Sequence, residues 1–278
     1  MGQEGLADAV TLNAGTRMPR LGLGVWNVSG DAETEKVVLS AISLGYLSID
    51  TARAYGNEIG VGRAIRACGV PRDRLFVTTK LWNDDIRRDR VAEAFEESLR
   101  DLGLAYVDLY LVHWPITGRI VSTWRVMERL YRSGRARAIG VSNHLEQHLN
   151  ELLASTEVVP AVNQIEFHPY LQSPSLVAMC RQHGIAVEAW SPLMQGGKLL
   201  ADPVLTRIAR EHGRTTAQIV LRWEIQHGVI TIPKSALRKR QEENAALFDF
   251  NLSDADMTAI AVLDRRERCG PDPLNFSF

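Results

Sequence analysis

The chain has 278 residues, of which 45% are hydrophobic and 23% charged, and its formal net charge is -1. That is the make-up of a globular protein with a sizeable core, and it fits one large domain over residues 1–278 better than two. It excludes a basic face for nucleic acid, any apolar run near the roughly 20 residues of a membrane span, and a disulfide framework, since Cys68, Cys180 and Cys269 are odd in number and far apart.

The first ten residues, MGQEGLADAV, lack the charged head and apolar stretch of a secretory signal. With the scattered cysteines, this predicts a cytoplasmic protein. Val10 to Arg20 reads as a hairpin and Leu21 to Trp26 as a first strand. Asp31 to Leu44 is helical, with Asp31 placed to cap it and Val37, Val38, Ala41 and Ile42 on one face. Tyr46 to Asp50 is a strand, Glu58 to Ala67 a helix, and Leu75 to Lys80 a strand rich in β-branched residues. Arg88 to Leu102 carries the clearest helical stripe: Val91, Phe95, Leu99 and Leu102. Val107 to Val112 is nearly all apolar, as a strand covered on both faces should be. Ser122 to Ser133 is a helix stopped by Gly134. Further strands follow at Ala136 to Ser142, Ala161 to Glu166, Ala186 to Trp190 and Val229 to Pro233. Helices at Leu145 to Ser155, Ser175 to His183 and Thr216 to His227 separate them, and Asp202 to Glu211 and Leu252 to Leu263 are helices outside the repeat.

Eight strands alternating with helices imply a parallel sheet. Eight units in this length predict an α/β fold closed as a (β/α)8 TIM barrel, with an N-terminal β-hairpin and two extra helices. Periodicity leaves a doubly wound open sheet as the alternative.

In such a barrel the active site lies at the C-terminal ends of the strands. Asp50 closes the second strand, Tyr55 follows five residues later, Lys80 closes the third and His113 the fourth. Any one of these reads more readily as a cap, a loop former or a packed core residue. Four on one rim form a mechanism. A phenol titrates near pH 10, a nearby ammonium lowers that value, and a carboxylate holds the ammonium in place. Tyr55 can then protonate an oxygen that gains negative charge, while His113 donates a hydrogen bond to it.

These residues lie in segments that resemble the aldo-keto reductase superfamily. GYLSIDTARAYGNE (Gly45 to Glu58), TTKLW (Thr78 to Trp82) and YVDLYLVHWP (Tyr106 to Pro115) carry the Asp, Tyr, Lys and His. GRARAIGVSN, PAVNQIEFHP, IPKS and EEN extend the likeness over essentially the whole chain. In detail it is most similar to bacterial 2,5-diketo-D-gluconate reductases, through KLWND, GVSNH, EAWSPL and QGGK. The resemblance implies a monomer that reduces small-molecule carbonyls with NADPH: aldehydes, dicarbonyls, α-keto esters or keto-sugar acids. It also leaves open a cofactor-binding barrel with a structural or regulatory role and little turnover.

No Rossmann fingerprint is present, because Asn27 stands where the third glycine would follow Gly22 and Gly24. The dinucleotide is implied by the resemblance alone. By position, Ser142, Asn143 and Gln164 would bond the nicotinamide carboxamide and Trp190 would stack on its ring. Ser191, Leu193, Gln195 and Gly196 would line the pyrophosphate. Lys234, Ser235 and Arg240 would hold the 2′-phosphate, favouring NADPH over NADH, with Glu243 and Asn244 on the adenine. Trp26, Trp82, His113 and Trp114 would wall the substrate pocket, and the short loop after His113 implies an open one.

Two other patterns carry less. His144 and His148 have the spacing of a zinc pair, yet Glu146 is not beside the first and no third ligand is evident, so no metal is expected. Glu166 and Glu188 suggest a glycosidase pair, but that reading leaves Asp50, Tyr55 and Lys80 without work.

Overall fold

The computed structural model describes residues 5–278. A hairpin of β1 (Ala9–Thr11) and β2 (Arg17–Pro19) comes first. The barrel strands are β3 (Leu23–Gly24), β4 (Ser48–Asp50), β5 (Phe76–Leu81), β6 (Leu109–Val112), β7 (Ile139–Ser142), β8 (Val162–Glu166), β9 (Ala186–Trp190) and β10 (Ile230–Thr231). They pair in parallel and in sequence order. A parallel bridge between Leu21 and Thr231 joins the first strand segment to the last, with Gly22 N donating to Thr231 O at 2.9 Å and Thr231 N to Arg20 O at 2.9 Å. The sheet is therefore closed, and the open-sheet alternative falls.

Between and after the strands run α1 (Asp31–Ser43), α2 (Glu58–Ala67), α3 (Asn83–Arg87), α4 (Val91–Leu102), α5 (Ile120–Arg132) and α6 (Glu146–Leu153). Then come α7 (Pro174–Gln182), α8 (Pro203–His212), α9 (Thr216–Gln226), α10 (Arg238–Ala245) and α11 (Asp254–Ala261). The extra helices expected near residues 202 and 252 are α8 and α11, and α8 is capped by Asp202, which accepts from Val204 N and Leu205 N. No described helix is long and apolar enough to cross a membrane.

Two sequence expectations fail locally. Asp31 does not cap α1. The cap position is Gly30, at φ 79°, and the Asp31 carboxylate accepts the Gly60 N–H at 3.0 Å, stitching α1 to α2. The helix expected from Arg88 begins instead at Val91. Asp89 takes a left-handed φ of 55°, which separates α4 from the short α3.

Alternation along the strands sorts their side chains into two populations. Val77, Leu81, Tyr110, Val112, Ile139, Val141, Ile165 and Val187 face outward and pack under the helices. Phe76, Leu109, Leu111, Ala138, Val162 and Ile230 fill the lower interior, plugged by Leu12 and Met18 of the hairpin. Above that apolar layer, toward the C-terminal ends, the buried side chains turn polar: Asp50, Lys80, Gln164 and Glu188.

Candidate active site

Strand β5 aims Lys80 at its neighbours. Its side chain is fully buried, and Nζ donates to Asp50 Oδ1 at 2.5 Å, to the Thr51 carbonyl at 2.9 Å and to Tyr55 Oη at 3.3 Å. Tyr55 ends a 3-10 turn, Arg53–Tyr55, in the loop after β4. That loop is tied down on both sides. Thr51 Oγ1 donates to Asn57 Oδ1 at 2.7 Å, Asn57 Nδ2 donates to the Val25 carbonyl, and Arg53 pairs with Asp85 and Glu97. His113 follows β6, its ring edge-on to Tyr55 at 5.7 Å and to Trp82 at 5.2 Å. Its Nδ1 is buried with no partner among the described residues. The four expected side chains thus meet at one mouth.

Burial dominates their protonation. It pushes the Tyr55 hydroxyl above its ordinary range; Lys80 pulls it down and Asp50 pushes it up again. Lys80 pulls the phenol down, as the sequence implied, but burial outweighs that pull, and Tyr55 holds its proton at neutral pH. Burial alone would discharge Lys80, but the Asp50 carboxylate opposes it by charge and by hydrogen bond, and the ammonium stays charged. Burial, reinforced by Lys80, drops His113 well below its usual range, so the imidazole is neutral and carries a single N–H.

The carboxamide candidates form a closed network. Ser142 Oγ donates to the Gln164 carbonyl at 2.8 Å, and Asn143 Nδ2 to the His113 carbonyl at 2.9 Å and to Ser142 Oγ at 3.1 Å. Trp190 Nε1 donates to Asn143 Oδ1 at 2.9 Å, which fixes the half-buried indole beside them. Gln164 Nε2 donates to Asp50 Oδ2 at 2.9 Å and to Glu188 Oε2 at 2.7 Å. After β9 the chain curls. Ser191 sits at φ 49°, and Met194, Gln195, Gly196 and Gly197 at 46°, 57°, 91° and 66°. Non-glycine residues bear about 1–2 kcal/mol each there, and backbone turned this way forms concavities that suit anions. Beyond β10, Lys234 and Arg240 are exposed and make no ion pair among the described residues, while Arg238 is tied to Glu242 and Ser43. Ser235 is buried, its Oγ turned back on Leu237; Glu243 accepts from Thr215, and Asn244 is buried. A strained cradle followed by unpaired cations fits a group bearing phosphates.

Residues 20–265 match the Aldo/keto reductase family. The chain belongs to that family. It is 51% identical over 273 residues to a glyoxal reductase of Bacillus subtilis, covering 98% of this chain and 99% of that one. It is 50% identical over 283 residues to a morphine 6-dehydrogenase of Pseudomonas putida, covering 97% and 95%. The crystal structure of a Gox0644 mutant in complex with NADPH superposes with a TM-score of 0.92 at 44% identity, covering 98% and 99%. As a member of the family the chain is an oxidoreductase of carbonyl compounds.

The C-terminal tail of this reductase does what the sequence did not reveal. Glu166, at the end of β8, accepts from Cys269 N at 2.5 Å and Gly270 N at 3.2 Å, and His168 Nε2 pairs with it at 3.0 Å. A Cβ on Gly270 would come within 2.3 Å of the Trp190 ring, so only glycine allows this approach. Farther on, Phe278 stacks on Trp82 and meets Trp114 edge-on, and Phe276 packs on Trp114. Asn83 and Arg87 hold the Phe278 carbonyl. The open pocket expected from the short loop after His113 is therefore covered from the tail. Trp26, 50% exposed, makes no ring contact with the others among the described residues. His144 and His148 each bond main chain, to Ser142 O and Leu145 N, which accounts for the zinc-like spacing. The glycosidase pair fails too, because Glu166 is spent on the tail. Glu188 joins Gln164 instead, and its only sequence signal was a carboxylate amid an apolar strand.

Proposed function

We propose that this enzyme reduces aldehydes and ketones to alcohols with NADPH, and that Tyr55 is the proton donor. The observation that carries the reading is the buried chain Tyr55–Lys80–Asp50 beside a neutral His113 at the mouth of the barrel. Ser142, Asn143 and Gln164 would hold the nicotinamide carboxamide, and Trp190 its ring. Ser191, Leu193, Gln195 and Gly196 would take the pyrophosphate. Lys234, Ser235 and Arg240 would take the 2′-phosphate, with Glu243 and Asn244 on the adenine. Bound there, NADPH supplies a hydride to the carbonyl carbon.

His113 donates its N–H to the carbonyl oxygen and orients it. Tyr55 Oη gives that oxygen its proton as negative charge develops. Lys80 stabilises the phenolate left behind, and Asp50 keeps Lys80 charged and aimed. Trp82 and Trp114, with Phe278 over them and Trp26 at the rim, exclude water and so strengthen each of these interactions. The tail rings Phe276 and Phe278 pack on Trp114 and Trp82 beside His113. Small dicarbonyls of the glyoxal type, the substrate class in the name of the Bacillus subtilis relative, are the first substrates to assay. We further propose that residues 1–278 act as one domain, monomeric and cytoplasmic, in keeping with three free thiols.

The test is Tyr55→Phe. Removing general acid catalysis should slow NADPH oxidation, read at 340 nm with glyoxal, by about 10²–10⁴-fold, while NADPH binding by fluorescence stays near that of the parent. A variant within a few-fold of the parent rate would reject Tyr55 as the acid, and with it this reading.

A further inference from the structure

Glu188 is fully buried inside the barrel, on the strand next to Gln164 and in register with it. A carboxyl there is costly, since an apolar side chain would fill the space without desolvation. Its Oε1 has no partner among the described residues, and its Oε2 accepts from Gln164 Nε2. Gln164 has two amide hydrogens on one nitrogen and one carbonyl oxygen. Asp50 takes one hydrogen and Glu188 the other. Turning the amide over would lose the bond to Asp50 and set the amide oxygen against that carboxylate.

We propose that Glu188 is a positioning residue for the cofactor: by taking the second amide hydrogen it locks Gln164, which then meets a bound nicotinamide only through Oε1, as acceptor of the carboxamide N–H. The inference rests on the reading that Gln164 faces the carboxamide. With Asp50 alone, one bond would hold the amide and its opposite face would compete. Burial and the neighbouring Asp50 charge raise the Glu188 carboxyl to about 8, while Gln164 and Lys80 pull it down. Its oxygen accepts in either protonation state, so the lock persists through neutral pH.

The experiment titrates the protein with NADP⁺ and with its 3-acetylpyridine analogue, in which a methyl replaces the carboxamide nitrogen, following tryptophan fluorescence. One hydrogen bond makes the parent prefer NADP⁺ by roughly 3–10-fold. Glu188→Met should bring the two affinities to within about twofold by weakening NADP⁺, whereas Glu188→Gln, whose amide oxygen still accepts, should keep the parent ratio. A Glu188→Met protein with the parent ratio overturns the proposal. If that variant does not fold, equal affinities in the parent overturn it. Gln164→Leu separates the two claims. If it leaves NADP⁺ affinity unchanged, the carboxamide assignment itself is wrong; if it weakens NADP⁺ while Glu188→Met keeps the parent ratio, only the role of Glu188 fails.

Discussion

Lys80 and Asp50 form a fully buried ion pair, and the consequences of breaking it are asymmetric. Removing one partner strands the other in low dielectric, whereas removing both leaves neutral groups. Lys80→Met should therefore lose roughly 3–5 kcal/mol in urea denaturation, and Asp50→Asn/Lys80→Met should recover most of that loss without recovering reductase activity. Recovery of activity in the double variant would show that the ammonium is dispensable. The individual residues were legible because they stand at or just after strand ends, Tyr55 in the turn that follows β4, and strand ends follow from local apolar patterning. The net protonation of Tyr55 was not legible. Ammonium proximity pulls one way and burial the other, and burial is a property of the folded packing alone.

At the scale of elements, α10 and α2 offer contrasting tests. Arg240, on the first turn of α10, is exposed and without an ion pair among the described residues. Arg240→Ala should weaken NADPH binding at least about tenfold, the scale of a charge-assisted hydrogen bond to phosphate, and leave NADH nearly unchanged. Equal losses in fluorescence titrations would put the 2′-phosphate elsewhere. In α2, a Cβ on Gly62 would lie 1.9 Å from the Leu102 carbonyl oxygen, so α2 crosses the end of α4 backbone to backbone. Gly62→Ala should cost about 3 kcal/mol or more, near the upper end for overpacking, because a main chain cannot swing aside as a side chain can. Gly69→Ala, at φ 73° with open space around it, should cost only about 1–2 kcal/mol of local strain. Thermal melts that rank the two in the opposite order would contradict the crossing. Helix stripes such as Val91 to Leu102 were plain in the sequence. The break at Asp89 was not, since nothing in the local pattern requires a left-handed residue there.

For the whole molecule, buried titratable groups shape the dependence of stability on pH. Burial holds His113 well below its ordinary range and His144 at about 3. Folded, they stay neutral where the unfolded chain, with histidines near 6.5, takes up protons, so stability falls as pH drops below about 6.5. Glu188, raised to about 8, acts in the opposite sense. It keeps a proton that the unfolded chain releases above about pH 4.5, so its contribution declines as pH rises from there toward 8. Urea midpoints measured from pH 4 to 9 should trace a dome, and Glu188→Gln should flatten the alkaline limb. An unchanged alkaline limb in that variant would mean that Glu188 is ionised in the folded protein at neutral pH.

Taken by itself, the sequence determined the alternation of strands and helices, the closed barrel as the leading arrangement, and the rim on which Asp50, Tyr55, Lys80 and His113 stand. All of these follow from short-range periodicity and from motifs within a few residues of one another. Only the tertiary structure decided that Gln164 links Glu188 to Asp50, that Glu166 grips the tail at Cys269 and Gly270, and that Phe278 covers Trp82. These contacts join residues far apart in the chain, or residues on neighbouring strands whose register only closure sets. They exist because closing a sheet on itself forces distant side chains into one small interior.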